Sequence, residues 1–426
     1  MTAPAMLSAS DHEVLGQVGR GTPMGDLLRR YWVPALLSEE IPLPGGAPVR
    51  VRLLGEGLVA FRLQDGEVGL LRESCSHRGA SLFFGQNEPG GLRCSYHGWK
   101  YDVAGRCVDM PNEPPLSTFK ERVQHPAYPC AERGGIVWAY LGPPEDRPDL
   151  PGLEYLSVPE SHQYVSKRHL ECHWEQALEV DIDSAHVPWL HGELFRGSEA
   201  ASGPMRYMLE NTAPSFEVLP FDYGLAIAAR RDVEDGCFWR INHWIAPWYT
   251  VVPQIGPPWG IHGWVPIDDT SCWVYSFVWN PELPHSSDEI ETWKRGEGLF
   301  AELIPGTYVP IRNKGNDWLV DREAQGAGLL SAGVHGNQEQ DDAIVGSIGP
   351  YHDRSQEHLV ATDAAVLATR RWLVDAAARL QRDGVAPPRD VPCRARPVSQ
   401  LLPAHESWHE ALAPLAWEQS GEFEHG

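Results

Sequence analysis

At 426 residues the chain is long enough for two or three domains, each with its own core. Its 35 basic and 58 acidic side chains leave a formal charge of −23, which argues against nucleic acid and anionic membrane surfaces as partners. Apolar and charged fractions of 42% and 22% are those of a soluble globular protein. No apolar run approaches the roughly 18 residues of a transmembrane helix.

Met1 to Gly16 carries Asp11, His12 and Glu13 without the basic and apolar regions of a signal peptide. A helix is predicted over Met24 to Tyr31, with Leu27, Leu28 and Tyr31 on one side, ended by Pro34. From Val49 the period changes to that of strands: Val49 to Leu53, Leu58 to Leu63, Tyr101 to Val103, Arg106 to Val108, and Gly135 to Leu141. Between them lie two short pairs, Cys75-Ser-His77 and Cys94-Ser-Tyr-His97, in the pattern C-x-H-x16-C-x-x-H. Each loop offers one thiolate and one imidazole, the donor set of a [2Fe–2S] cluster with two Cys on one iron and two His on the other. The same four ligands also suit a tetrahedral zinc. Zinc fingers, however, usually pair Cys with Cys and His with His.

The Pro-rich run from Gly142 to Pro151 marks a boundary, and a small all-β domain precedes it. Beyond it, Glu175 to about Ala185 reads as a helix, residues 213–282 as β-rich, and Gln356 to Leu380 as a long amphipathic helix closed by Gly384. Asp183, His186 and His191 close the first of these helices. Two His and a carboxylate with open positions form the facial triad of non-haem Fe(II) oxygenases. Asp183 and His186, i and i+3, share a helix face. His186 and His191 point about 140° apart in a regular helix. Pro188 is expected to break or kink it there and bring His191 round. A packing histidine and a surface histidine are the plainer alternative. Cysteines 107, 130, 172, 237, 272 and 393 are expected as buried free thiols of a cytoplasmic protein, since their irregular spacing makes no disulfide scaffold.

The loops Cys75-Ser-His77-Arg78-Gly79-Ala80 and Cys94-Ser-Tyr-His97-Gly98-Trp99 resemble the cluster-binding loops of Rieske iron–sulfur proteins. Asp183-x-x-His186-x4-His191, with its lead-in Cys172-His-Trp-Glu-Gln-Ala-Leu-Glu179, is similar to the motif of Rieske non-haem iron aromatic-ring oxygenases, the phthalate 4,5-dioxygenase-like group above all. Asn316-Asp317-Trp318, Asp321-Arg322, Gln340-Asp341 and Gly349-Pro350 extend the resemblance toward Leu380. Ser76 and Gly346 depart from the family pattern, where Pro and Glu are usual.

The resemblance implies an α+β chain: an N-terminal segment (1–45), a Rieske domain (46–148) and a helix-grip-like catalytic domain (149–426) of antiparallel sheet with flanking helices. It implies one [2Fe–2S] cluster on Cys75, His77, Cys94 and His97, and one Fe(II) on His186, His191 and Asp341, with Asp342 the neighbouring candidate. It further implies a head-to-tail homotrimer, or a dimer of trimers, in which Asp183 bridges a cluster His and an iron His across subunits. The activity implied is that of a terminal oxygenase fed by a separate NAD(P)H-dependent reductase or ferredoxin, hydroxylating an aromatic, carboxylated substrate with O2. O-demethylation by the same iron is the alternative, and a non-catalytic Rieske electron carrier the second one. Arg240, Trp244 and Trp248 are the candidate substrate contacts, with Arg206, Arg230 and Arg231 as further candidates to hold a carboxylate.

Overall fold

The computed structural model describes residues 7–195, 203–252, 256–389 and 395–416. Contacts divide the chain into a unit of residues 18–150 with 266–268, and a unit of residues 1–17, 151–265 and 269–426. The first helix, α1 (Ala9–Gly16), belongs to the larger unit and the second, α2 (Pro23–Leu28), to the smaller. The expected segment 1–45 is therefore divided between the units.

The smaller unit is built of strands. β1 (Trp32–Leu37) contains Pro34, the residue expected to stop the helix. Here α2 has already ended at Leu28, and Pro34 sits beside a register shift in β1, a place in a sheet that tolerates a missing N–H. β2 (Val49–Leu53), β3 (Glu56–Arg62) and β4 (Val68–Arg72) follow in antiparallel register. Next come β5 (Gln86–Glu88), β6 (Gly91–Arg93), β7 (Lys100–Tyr101) and β8 (Cys107–Asp109), a four-stranded sheet in sequence order. β9 (Ala127–Tyr128), β10 (Cys130–Arg133) and β11 (Ile136–Tyr140) complete the unit, with β11 between β1 and β10.

In the larger unit the strands are β12 (Gln163–Leu170), β13 (Ser215–Phe221), β14 (Gly224–Val233), β15 (Gly236–Ile245), β16 (Tyr249–Val251), β17 (Trp259–Asp268), β18 (Ser271–Trp279) and β19 (Val398–Leu402). They form one sheet in the order β12-β18-β17-β16-β15-β14-β13, with β19 paired to β15. Consecutive strands β12 and β13 lie at opposite ends of that order, so the segment between them must travel the width of the sheet. This segment carries α3 (Trp174–Ile182), α4 (Val187–Leu190), α5 (Gly192–Phe195) and α6 (Arg206–Glu210). α7 (Ser287–Lys294) and α8 (Arg322–Gly326) precede α9 (Asn337–Ser347), α10 (Ala364–Asp383) and α11 (Trp408–Ala416).

Register assigns the sheet's two faces. Arg231 pairs with Phe238, Ala229 with Arg240, Ile227 with Asn242 and Leu225 with Trp244, and paired residues share a face. Asn242 on this face donates to the Asp181 carbonyl of α3 (3.0 Å). On the other face Ala226, Ala228, Trp239 and Ile241 pack against Trp408 and Leu412 of α11. α10 begins at Ala364, not Gln356: residues 354–356 form a separate 3-10 turn, and Leu359 lies in the connection. Its end is as expected, with Gly384 at φ 69° forming the left-handed cap. Cys130 is half-buried where a buried thiol was expected, and Cys393 lies outside the described residues. Among the described residues no helix is long and apolar enough to cross a membrane.

A buried charge network fixes α3. Arg370 of α10 donates to both oxygens of Glu179 (2.5 and 2.8 Å) and to both of Glu357 (2.6 and 3.0 Å). Arg354 bonds Glu179 (3.0 Å) and Glu175. Burial raises the carboxyl of Glu175, while the two guanidiniums hold Glu179 well below the usual carboxylate range against the opposing effect of burial. Replacing Arg370 leaves carboxylates buried without their countercharge, at a cost of about 3–5 kcal/mol. Arg370→Ala should therefore lower the unfolding free energy by that amount and shift the denaturation midpoint down with it, measured by urea titration of the far-UV signal. An unchanged midpoint would show that the network does not fix α3.

Candidate metal centres

The two Cys/His loops of the smaller unit are closed by the same pair of hydrogen bonds. Cys75 N–H donates to Ala80 (2.9 Å) and Gly79 N–H to Cys75 (2.9 Å); Cys94 N–H donates to Trp99 (2.8 Å) and Gly98 N–H to Cys94 (3.0 Å). Gly79 and Gly98 have φ of 75° and 77°, left-handed values that the turns require. At Gly98 a Cβ would also meet Pro111 at 2.6 Å. Cys75 and Cys94, each 3% exposed, sit in a core with Val59, Phe61, Leu71, Leu82, Trp99 and Tyr101.

His77 and His97 stand half-buried at the rim with ring centroids 4.6 Å apart, and His77 stacks on Trp99 at 4.5 Å. The Nδ1 of His97 is buried with no protein partner, as a nitrogen reserved for a metal should be. Tyr101 Oη lies 3.1 Å from Cys75 Sγ, where its O–H can donate to a thiolate and draw charge from it. The four donors thus fit a two-Cys, two-His cluster. Ser76 directs its hydroxyl to His125 Nδ1 (2.8 Å). His125 Nε2 faces the Arg72 carbonyl (2.8 Å), so Nε2 carries the proton and Nδ1 accepts. Burial pushes His125 down to about 4, keeping it neutral.

In the larger unit α3 stops at Ile182. Asp183 is its C-cap, with extended backbone (φ −87°, ψ 112°), and accepts the Ala185 N–H at 2.6 Å. Asp183 and His186 therefore do not share a helix face as predicted. The helix does break before His191, but already at Ile182, and Pro188 begins a new helix: it lies in the first turn of α4, which His186 and His191 flank as N-cap and C-cap. One short turn thus supplies both histidines. Asp341 of α9 joins them, and the ligand atoms of His186, His191 and Asp341 all lie within 4.8 Å of one another.

Asp341 Oδ1 is 2.9 Å from His191 Nε2 and 3.6 Å from His186 Nε2. His191 Nδ1 meets Gln340 Oε1 at 2.8 Å, so both its nitrogens face oxygen acceptors although a neutral imidazole has one N–H. A metal cation between Nε2 and the carboxylate resolves that mismatch, and the donor set fits a facial triad. The neighbouring candidate Asp342 is otherwise engaged, bonded through both oxygens to buried Arg168 (2.7 and 3.0 Å). His186 Nδ1 lies 3.5 Å from Asp183 Oδ2, long for a hydrogen bond. Burial opposes the charged imidazole there, but Asp183 and then Asp341 outweigh it and raise His186 overall.

The arginine candidates separate by face. Arg206 pairs with exposed Asp235 and Arg230 with Asp232. Arg231 and Arg240 lie on the α3 side of the sheet. Arg231 donates to the Ser184 carbonyl (2.6 Å) and to Asn211 (2.9 Å), tying down the loop between Asp183 and His186; burial and Arg240 bring it down to about 9. Burial lowers Arg240 to about 10 against the pull of Asp181 and Asp183. Trp244 is a packing residue, edge-on to Trp372 (5.0 Å) with its N–H on the Pro247 carbonyl, and Trp248 is fully buried beside Tyr249.

Asp181 escaped the sequence reading. Its carboxylate accepts from Thr250 (2.5 Å) and His262 (2.7 Å) and anchors α3 to β16 and β17. Its only signal is a third acid in Glu179-Val-Asp181-Ile-Asp183. The Gly346 departure has a local cause: a Cβ there would meet the Trp318 indole at 2.8 Å.

Known proteins supply the frame for this geometry. Residues 31–120 match the Rieske [2Fe-2S] domain and residues 139–417 the LigXa C-terminal domain like family. The 3-chlorobenzoate-3,4-dioxygenase oxygenase subunit of Comamonas testosteroni is 38% identical over 90% of this chain and 91% of its own length. For the phthalate 4,5-dioxygenase oxygenase subunit of Pseudomonas putida the identity is 37%, over 97% and 96%. The oxygenase in a carbazole-bound oxygenase–ferredoxin complex of carbazole 1,9a-dioxygenase shares the fold, with TM-score 0.56 and 18% identity over 87% of this chain and 95% of that one. The Rieske match removes zinc as the occupant of the Cys/His loops. With its [2Fe–2S] domain joined to a mononuclear-iron catalytic domain, the chain belongs to the Rieske oxygenases, as an oxygenase subunit.

Proposed function

We propose that Cys75, His77, Cys94 and His97 hold the cluster, that His186, His191 and Asp341 hold the Fe(II), and that the substrate is an aromatic carboxylate. The observation that carries this reading is the convergence of two imidazoles and one carboxylate within 4.8 Å, in a unit whose α3-facing sheet surface bears the buried Arg240. When bound, the iron supplies reductive activation of O2 and its insertion into the substrate, with electrons delivered through the cluster. A separate NAD(P)H-dependent reductase or ferredoxin provides those electrons; both curated relatives are named as oxygenase subunits, which fits a multicomponent system. The place of work is the cytoplasm.

Arg240 holds the substrate carboxylate. A guanidinium buried to 9% exposure and lowered toward 10 gains from an anion placed against it, and the fork geometry suits a carboxylate. The substrates in the relatives' names, 3-chlorobenzoate and phthalate, are both aromatic carboxylates. Asp183 acts as the bridge between subunits of a head-to-tail trimer. One oxygen is held by Ala185, which leaves Oδ2 beside His186, and the side chain is 26% exposed and open to a neighbour's His97. A carboxylate between two imidazole N–H groups is stabilised by both.

A panel of aromatic acids assayed with NADH, a reductase and product mass analysis tests the function. Gain of two oxygens and two hydrogens marks cis-dihydroxylation, and loss of CH2 marks demethylation. Arg240→Gln should raise KM for the carboxylated substrate roughly 10- to 100-fold, the weight of a charge-assisted hydrogen bond, with a much smaller change for its primary amide. Equal effects on acid and amide would remove Arg240 from carboxylate binding.

Asp183→Asn should retain both metals and slow reoxidation of the reduced cluster by O2 and substrate roughly 10- to 100-fold, since the amide keeps the shape but loses the charge. Stopped-flow absorbance of the cluster measures this rate. Reoxidation of the Asn variant at the wild-type rate contradicts the bridging role.

A further inference from the structure

We infer that Gln340 is a positioning residue for His191: its amide oxygen accepts the hydrogen bond from Nδ1–H and thereby leaves Nε2 as the nitrogen that binds metal. This rests on the reading of His191 as an iron ligand and deepens it.

The orientation of the Gln340 amide follows from its two ends. Its nitrogen lies 3.0 Å from the Val334 carbonyl, which can only accept, so the NH2 group is there and the oxygen is the atom 2.8 Å from His191 Nδ1. Both residues are buried, Gln340 at 1% and His191 at 3% exposure, so water does not replace this contact. With Nδ1 committed as a donor, the lone pair of the neutral ring is on Nε2, which faces Asp341 at 2.9 Å. Gln340 and Asp341 are neighbours on α9, so one helix turn fixes both edges of the imidazole. The next residue, Asp342, locks that turn to Arg168 of β12 through two hydrogen bonds.

The two histidines consequently differ in what stands behind them. His186 Nδ1 is nearest a carboxylate, Asp183 at 3.5 Å, whereas His191 Nδ1 is bonded to a neutral amide. A carboxylate makes an imidazole a stronger donor to metal, and an amide does so less while still fixing tautomer and ring plane. Gln340 thus holds His191 in place without adding a negative charge at the iron.

The test uses full-length protein with an intact cluster, its mononuclear site stripped of iron and titrated with Co(II) against a fluorescent chelator. Gln340→Leu should weaken Co(II) binding roughly 10- to 100-fold, the usual weight of an outer partner of a metal-bound histidine. Gln340→Glu keeps the acceptor but loses the donation to Val334, and should bind within a few-fold of wild type. Co(II)-loaded wild type should also show a slowly exchanging, hyperfine-shifted Nδ1–H resonance that disappears in His191→Ala. Three results would overturn the inference: Gln340→Leu binding as tightly as wild type, Gln340→Glu binding as weakly as Gln340→Leu, or no such slowly exchanging resonance. The last of these decides the matter even if the Leu variant fails to fold by circular dichroism. Wild type that takes up no Co(II), or takes it up equally after His191→Ala, refutes instead the iron-site reading beneath the inference.

Discussion

The catalytic unit depends on a crossing. Its chain leaves the sheet at β12, one edge, and re-enters at β13, the other, with α3 to α6 between the two. Nothing in helix propensity would fix such a passage to the precision a metal site needs. Buried polar bonds do it instead: Arg354 and Arg370 grip Glu175 and Glu179, Thr250 and His262 grip Asp181, and Arg231 grips Ser184. A broken buried ion pair costs about 3–5 kcal/mol, a large part of a domain's net stability of about 5–15 kcal/mol. The side chains that place the metal ligands are thus also among those that hold the unit folded.

The two centres solve the same problem by different means. At the cluster, rigidity comes from backbone: two closed loops, two left-handed glycines and an apolar bed beneath the cysteines. At the iron it comes from side chains, because one ligand arrives from α9 and the others from α4, distant in sequence. Each of the three consecutive polar residues is engaged: Gln340 and Asp341 hold the two nitrogens of His191, and Asp342 holds Arg168. Placing three polar side chains inside a protein is tolerable only when each is satisfied.

The cluster loops were legible in sequence because both ligands of each loop are local, and spacing alone displays them. Asp341 was not legible that way. Its link to His191 spans 150 residues, and only the family resemblance singled it out from Asp342, whose bidentate contact with Arg168 is invisible in one dimension. Periodicity also misled at Asp183 and Pro188. Reading the first helix on to about Ala185 hid the extended residue at 183 and the fresh helix turn that begins at 187. Which arginine faces the site depends on strand register. Arg230 and Arg231 are adjacent, point to opposite faces, and cannot be told apart until β14 is paired with β15.

The central claim is that one chain carries two chemically separate iron centres on the residues named. Mössbauer spectroscopy of 57Fe-enriched protein tests it most directly, on wild type and on Asp341→Ala. About three irons per chain are expected in wild type: an unequal Cys-ligated and His-ligated pair, and one high-spin Fe(II) under anaerobic conditions. In Asp341→Ala the Fe(II) doublet should vanish and the cluster pair remain unchanged. Persistence of the Fe(II) doublet in that variant, or loss of the cluster signal with it, would contradict the account.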